Sequence, residues 1–315
     1  MWSRFLKKKF SETDAEKRRQ KMEDIPRYRA PGSHVTWKEF SKSVACMPNH
    51  KAVGPDGIPS EAIKYCPAVK KALFKIIVNI WEQERLPNDF AQAKFTMLFK
   101  NKGSDNDPSK YRCIALLNHA YKILSRIIML RLVSKSELHL ADWQAGFRPG
   151  RGCRDNTFIL RTLCQRMLQL GRAVTLTFVD YSAAFDTVSH KFLDRALKKA
   201  GATNKVRAMF RAVYNSATAY TTAPDVDGKN VKSDIFPIKR GVVQGDITSP
   251  LYFILALDLI LRIHDQRVDK GVTIDQTIVH TLGYADDTDL VVDGDSIGVG
   301  IVTHTQHSVT HCYLH

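Results

Sequence analysis

HTLGYADDTDLVV, residues 280–292, is the stretch on which the rest of the chain is read. Thr281 and Leu282 lead in, Asp289 to Val292 lead out on β-forming residues, and Tyr284-Ala285-Asp286-Asp287 sits at the bend. The pattern predicts a hairpin. Two adjacent carboxylates at a tight turn repel each other, and packing does not offset that cost. A bound divalent cation removes it, because hard cations take carboxylate oxygens. A solvated Asp-rich turn is the other reading of an isolated Asp-Asp pair.

AVTLTFVDYSAAFDTVSH, residues 173–190, lies a hundred residues upstream. Val174, Leu176 and Phe178 alternate with threonines, which predicts a half-buried strand ending on Asp180. A carboxylate at a strand end, followed by a small-residue bend, can face a hairpin tip on the neighbouring strand. Asp180, Asp286 and Asp287 would then share one metal site. Such a trio suits two divalent ions that activate an attacking hydroxyl and stabilise a leaving pyrophosphate.

Six segments in order carry a resemblance. They are KAVGPDGIPSEAIKY from residue 51, KYRCIALLNHAYKILSRII from 110, QAGFRPGRGCRDNTFILR from 144, FVDYSAAFDTV from 178, RGVVQGDITSPLYFILALD from 240 and GYADD from 283. Together they resemble the reverse transcriptases of non-LTR (LINE-type) retrotransposons. The resemblance implies an α+β right-hand polymerase with fingers and palm, the palm an RRM-like sheet carrying the catalytic β-hairpin. It divides the chain into a basic N-terminal arm or linker (1–45), a fingers and N-terminal reverse transcriptase region (46–170), a palm with the Asp motifs (171–293) and an aberrant tail (294–315).

The resemblance also implies roles. Asp180, Asp286 and Asp287 are the catalytic and metal-binding carboxylates, with Mg2+ as the ion, two per site, and Mn2+ as a possible substitute. Lys100 and Arg112 match residues that hold the incoming nucleotide's phosphates. FKNKG departs from the commoner PKKG pattern, so Lys102 competes with Lys100 for that role, and Cys113 stands where proline is frequent. Phe185 is the bulky side chain under the sugar, where a ring clashes with a 2′-hydroxyl. Gln244 lies near the sugar and base, Gly245 permits close backbone approach, and Tyr181 belongs with the substrate-binding residues. Asp186 is read as structural. The implied partners are an RNA template, a DNA primer and a deoxynucleoside triphosphate.

Totals agree with a globular nucleic-acid enzyme. The 315 residues are 44% hydrophobic and 25% charged, enough for a sizeable core. No apolar run reaches the ~20 residues of a membrane span; the longest candidate, Leu251 to Ile260, is broken by Asp258. The first residues lack a secretory apolar stretch. The formal charge of +15, from 47 basic and 32 acidic residues, fits a polyanionic partner as well as a solvated surface. Cys46, Cys66, Cys113, Cys153, Cys164 and Cys312 form no CxxC pair, which points to reduced thiols and an intracellular setting, nucleus or cytoplasm.

Local signals fill in the order. Residues 1–30, with lysine and arginine clusters, read as a mobile or helical arm. Ser60 is expected to cap a short helix, Pro67 to open a second that Pro87 ends, and Ala93 to Phe99 to form a strand. Helices are expected over His119 to Leu138, from Asp155 or Asn156 to Leu170, over His190 to Lys199, over Lys205 to Asn215, and from Ser249 through Leu257; Ala219 to Asn230 has hairpin composition. Arg148, Arg151 and Arg154 crowd the Gly-rich loop of residues 144–154, suiting template phosphate or a generic positive loop.

After Asp293 the resemblance implies a further helix, a strand, a primer-holding hairpin and a helical thumb. GDSIGVGIVTHTQHSVTHCYLH does not match them, so the thumb is expected to be missing and palm apolar area to be exposed. His304, His307, His311, Cys312 and His315 could bind zinc from one helix face, though Gly298, Gly300 and the Thr and Val content disfavour a helix. Two function classes follow. One is an RNA-directed DNA polymerase. The other is an inactive retroelement remnant that binds nucleic acid weakly at most.

Overall fold

Caps and turn residues set the first boundaries. The computed structural model describes residues 2–11, 34–224, 230–265, 271–274 and 277–294. Helix α1 (Trp2–Lys9) buries Leu6, and Phe10 just past its end is buried too. The N-terminal stretch read as an arm is therefore docked where it is described. Helix α2 (Trp37–Ala45) starts at Thr36, whose hydroxyl accepts the Glu39 N–H at 3.2 Å while the Glu39 carboxylate accepts the Thr36 N–H at 3.0 Å. That reciprocal pair satisfies two donors a helix start leaves orphaned. Its Phe40 and Val44 are buried, so residues 37–45 also belong to the packed body.

Helix α3 (Ser60–Tyr65) departs from expectation. Pro59 holds the cap position without a side-chain bond, and the buried Ser60 hydroxyl donates to the Pro48 carbonyl at 2.9 Å. Helix α4 (Pro67–Gln83) opens on proline, whose missing N–H costs nothing there. It stops where Glu84 turns left-handed at φ 53°, before Pro87 is reached.

Strand β1 (Gln92–Phe99) pairs antiparallel with β2 (Tyr111–Leu117), which local signals did not foresee. Helices α5 (His119–Ser136) and α6 (Cys153–Gln169) follow, then β3 (Val174–Val179). A short helix α7 (Ala184–Thr187) precedes α8 (His190–Lys199) and α9 (Asn204–Ser216). Ser189 and Thr203 cap the latter two by accepting the N–H of Phe192 and Val206. Gly201, at φ 75°, makes the bend between them. Strand β4 (Thr218–Pro224) turns back as β5 (Asn230–Lys232), and β6 (Phe236–Pro237) pairs on β4 as well. The Asp227-Gly228 turn lies outside the described residues.

Helix α10 (Ser249–Asp265) runs eight residues past Leu257. Asp258, read as a break in the apolar run, is buried but bonded: it accepts the Ala141 N–H at 2.8 Å and Arg262 Nε at 2.7 Å. Strands β7 (Val272–Ile274) and β8 (Thr277–Val279) pair together, and β9 (Thr281–Tyr284) and β10 (Asp287–Asp293) form the expected hairpin.

The strands build two working sheets, an α+β arrangement. One is mixed, ordered β2-β1-β4-β5 with β6 also on β4, and β1 runs parallel to β4. The other is antiparallel, ordered β3-β10-β9. A large core gathers around α5, α8, α9 and α10, with Ile123, Leu193, Phe210 and Ile254 fully buried. Behind β10, Leu163 and Met167 of α6 pack with Val272 and Val291. Phe178, on β3, is 70% exposed, so apolar area is uncovered on this sheet among the described residues. None of the described helices is long and apolar enough to cross a membrane. Cys46, Cys66, Cys113, Cys153 and Cys164 are free thiols, while Cys312 and the tail histidines lie outside the described residues.

His190 yields a stability prediction. Its Nε2–H donates to the Gly241 carbonyl at 2.9 Å, and the Phe210 and Tyr214 rings flank it. Burial pushes its pKa down to about 4. The unfolded chain then binds the extra proton first, so stability is full above the ordinary histidine value and is lost as pH falls toward 4. A loss of roughly 2–3 kcal/mol is expected across that window, absent in His190→Gln, as read by denaturant unfolding at several pH values.

Candidate active site

The turn between β9 and β10 puts two carboxylates at a hairpin tip. Thr288 pairs with Val179, the residue before Asp180, so the hairpin tip lies next to the end of β3. Asp180 and Asp286 line one open cavity of about 1150 Å³. Asp287, exposed on the next strand, is not part of its wall. Among the described residues no three His, Cys, Asp or Glu side chains gather closely enough to hold a metal by themselves. The structure thus brings together two of the three expected carboxylates and leaves the third alongside.

The charges nevertheless feel one another. Burial raises the Asp286 carboxyl above its ordinary pKa, repulsion from Asp287 and Asp180 adds to the rise, and a bond from its own backbone N–H and, more weakly, the Arg112 charge oppose it. Carboxylates that push each other toward protonation form a site short of positive charge. A hard divalent ion fits that donor set, and Mg2+ commonly takes one or two carboxylates and completes its shell with water and substrate phosphate.

The hairpin tip is fixed from outside by a residue sequence reasoning missed. Gln144 is fully buried. Its side-chain oxygen accepts the Ala285 N–H at 3.0 Å and the Gly146 N–H at 2.7 Å, and its amide nitrogen donates to the Ala285 carbonyl at 3.2 Å. Ala285 stands at φ 59°, a left-handed conformation that needs such support. Around it, the Ala145 N–H donates to the Gly283 carbonyl at 2.8 Å and the Gly283 N–H to the Trp143 carbonyl at 2.9 Å. Gly146 lies so close that a Cβ there would sit 2.1 Å from the Ala285 nitrogen. The QAG run was legible as a motif, but nothing local says its glutamine grips a turn 141 residues away.

Basic residues line the same cavity. Lys100 closes β1 and Arg112 rides β2; both are exposed and both line the cavity. Lys102 and Lys110 do not. Tyr181 and Phe185 line the cavity as well. Tyr181 is buried, and that burial raises its hydroxyl pKa, with a bond to Thr288 working against the rise. Phe185 stacks on Phe253 with centroids 4.2 Å apart, so one face is core and the remainder meets the cavity.

Gln244 reaches the cavity through a locked turn. Its carbonyl accepts the Ala115 N–H at 2.7 Å, and its side chain donates to Asp186 at 3.3 Å. Gly245, at φ 118°, comes so near β2 that a Cβ would lie 2.4 Å from the Ala115 oxygen. The close approach expected of this glycine is thus to β2. Asp186, read as structural, is buried and also pairs with Lys9 at 2.6 Å.

The Gly-rich loop is less available than expected. Arg148 is buried, pairs with Glu137 at 2.6 Å and donates to the Ala141 and Gln144 carbonyls. Arg151 pairs with Asp142 at 2.6 Å. Arg154 is exposed and keeps its charge for solvent or ligand.

The α+β sheets and the cavity lined by carboxylates and basic side chains suit phosphate chemistry, and comparison with known proteins gives the family. Residues 99–314 match the reverse transcriptase (RNA-dependent DNA polymerase) family model, and the chain belongs to that family. It is 29% identical over 234 residues to the Retrovirus-related Pol polyprotein from type-1 retrotransposable element R2 of Popillia japonica, covering 70% of this chain and 32% of that protein. It is 27% identical over 271 residues to the RNA-directed DNA polymerase from mobile element jockey of Drosophila melanogaster, covering 85% and 28%. A third relative, the Transposon TX1 uncharacterized 149 kDa protein of Xenopus laevis, is 26% identical over 266 residues, covering 82% and 19%. The chain therefore spans about a third or less of the length of these relatives. They support the likeness to non-LTR retrotransposon reverse transcriptases.

Proposed function

We propose that this chain carries the RNA-directed DNA polymerase centre of a non-LTR retrotransposon protein, joining a deoxynucleotide to a primer 3′-hydroxyl. The observation that carries the reading is one cavity lined both by Asp180 and Asp286 and by Lys100 and Arg112. Residues 46–170 serve as fingers and 171–293 as an RRM-like palm. Asp180 and Asp286 hold the ions, and Asp287 adds negative charge beside them. Two divalent ions, Mg2+ or in substitution Mn2+, would lower the cost of deprotonating the attacking hydroxyl and neutralise charge on the leaving pyrophosphate.

The protein's own part is positioning. Arg112 presents a planar fork to phosphate oxygens, and Lys100 a point charge. Tyr181 and Gln244 flank the sugar, Gln244 being steadied by Asp186. Phe185 excludes a 2′-hydroxyl by shape. An RNA template and a DNA primer are the partners, inside the cell in nucleus or cytoplasm.

Primer extension by the purified chain, on an RNA template and on a DNA template of the same sequence, tests the reading. Extension on RNA supports it; a folded chain inert on both templates supports the inactive-remnant alternative. The sugar gate adds a second expected result. Overpacking a tight site costs about 1–3 kcal/mol, so Phe185→Ala should narrow discrimination against ribonucleotides by a factor of about 10 to 100. The ratio of kcat/KM for a deoxynucleotide and its ribonucleotide measures this.

A further inference from the structure

The nucleotide cavity has a wall that the fingers and palm do not supply. Phe5, Lys8 and Lys9 of α1 line it together with Lys100 and Arg112. We propose that Lys8 is a third phosphate-binding residue, lent to the nucleoside triphosphate by the N-terminal helix. The proposal rests on the polymerase reading and deepens it.

Helix α1 is held in place at several points. Leu6 and Phe10 are buried in the main core, and the Phe10 ring lies 5.2 Å from that of Phe95. The Lys239 N–H donates to the Phe10 carbonyl at 3.0 Å. The Trp2 ring meets Tyr111 edge-on at 4.7 Å, one residue before Arg112. The helix is thus fixed to the strand that carries the phosphate-binding arginine.

Its three consecutive lysines then divide by partner. Lys7 pairs with Asp234 at 3.0 Å, on the outside. Lys9 pairs with the buried Asp186 at 2.6 Å. Lys8, exposed and between them, lines the cavity and has no carboxylate partner among the described residues. Last-turn lysines do complement a helix dipole. That general preference explains their sign but not the cavity on which Lys8 opens.

Charge balance leads to the same residue. Of the other cations on the cavity wall, Lys9 is committed to Asp186, and Arg240 donates to the Thr187 carbonyl at 2.9 Å. Lys8, Lys100 and Arg112 remain for an anion, from three separate elements. A triphosphate carries several negative charges and gains from each such contact.

Equilibrium binding of dATP to the full chain with MgCl2 and no primer, by titration calorimetry, tests this. Lys8→Ala is expected to weaken binding about 5-fold and Lys8→Glu more, while Lys8→Arg stays near wild type. Lys38→Ala, on the exposed side of α2, should change nothing. Lys8 is exposed, so unchanged melting of its variants is expected and checks that the fold is intact. Loss of affinity in Arg112→Ala with wild-type affinity in Lys8→Ala and Lys8→Glu would overturn the role of Lys8 and leave the nucleotide site standing. Wild-type affinity in all three would overturn the role of Lys8 and the phosphate wall together.

Discussion

Asp286→Asn is expected to lower primer extension by on the order of a thousandfold while leaving the chain folded, since metal-assisted charge stabilisation supplies several kcal/mol of the barrier reduction. Asp286 has little structural work to lose. Its carboxyl is half-buried and is disfavoured in its charged form by burial, by Asp287 and by Asp180. A neutral amide of the same shape relieves that repulsion. The melting temperature should therefore hold or rise as activity disappears. Such opposed changes mark a residue kept for chemistry at a cost in stability. Steady-state extension rates together with thermal melts measure both. Wild-type-like extension by this variant would remove Asp286 from the ion site.

Gly146→Ala is expected to cost on the order of a hundredfold in extension, through the backbone alone, because misplacement of about 1 Å at a reacting centre has that effect. The added methyl would sit 2.1 Å from the Ala285 nitrogen and 3.0 Å from the Gln144 side-chain oxygen. Backbone cannot move aside as a flexible side chain can. The hairpin tip must shift, and the two carboxylates that follow Ala285 must shift with it. Gln144→Leu tests the same support from the other side. It leaves the Ala285 and Gly146 N–H groups buried without an acceptor, at about 1–3 kcal/mol each. Both variants should lower kcat with a smaller change in KM for the nucleotide, because Lys100 and Arg112 are untouched. An unaltered kcat in Gly146→Ala would show that the tip tolerates displacement.

The parts of this molecule that were legible in its sequence are those with a local cause. The 280–292 hairpin is marked by β-formers around a turn, and β3 by alternation ending on Asp180. Helices α4, α5, α8 and α9 follow from apolar periodicity, Pro67 and the Gly201 break. What stayed hidden depends on partners far along the chain. Strand β2 was obscured because Lys110 and Arg112 made its start look like a loop exit, although Cys113, Ala115 and Leu117 alternate inward. Helix α10 was cut short at Asp258, since a charged residue in an apolar run gives no hint that Arg262 and the Ala141 amide will bond it. Ser60 resembled a cap because the Pro48 carbonyl that claims its hydroxyl cannot be read locally.

The site shows the same division. Asp180, Asp286, Lys100, Arg112, Phe185 and Gln244 stood in recognisable motifs, and they meet at one cavity, with Asp287 beside it. Gln144 was invisible as a support because its role is contact with a turn brought to it by folding. The arginines of the Gly-rich loop left two readings open, template phosphate or a generic positive loop. Arg148 and Arg151 look like phosphate ligands in sequence, yet Glu137 and Asp142 already hold them. In α1, a dense run of lysines concealed Leu6 and Phe10, two of the side chains that dock the helix.

Manganese binding by the wild-type chain and by Asp180→Asn, Asp286→Asn and the double variant, followed by electron paramagnetic resonance, tests the central claim most directly. If the two carboxylates act on shared ions, each single variant should lose nearly all the affinity and the double variant should lose little more. Independent, additive losses, or wild-type binding in either single variant, would contradict it.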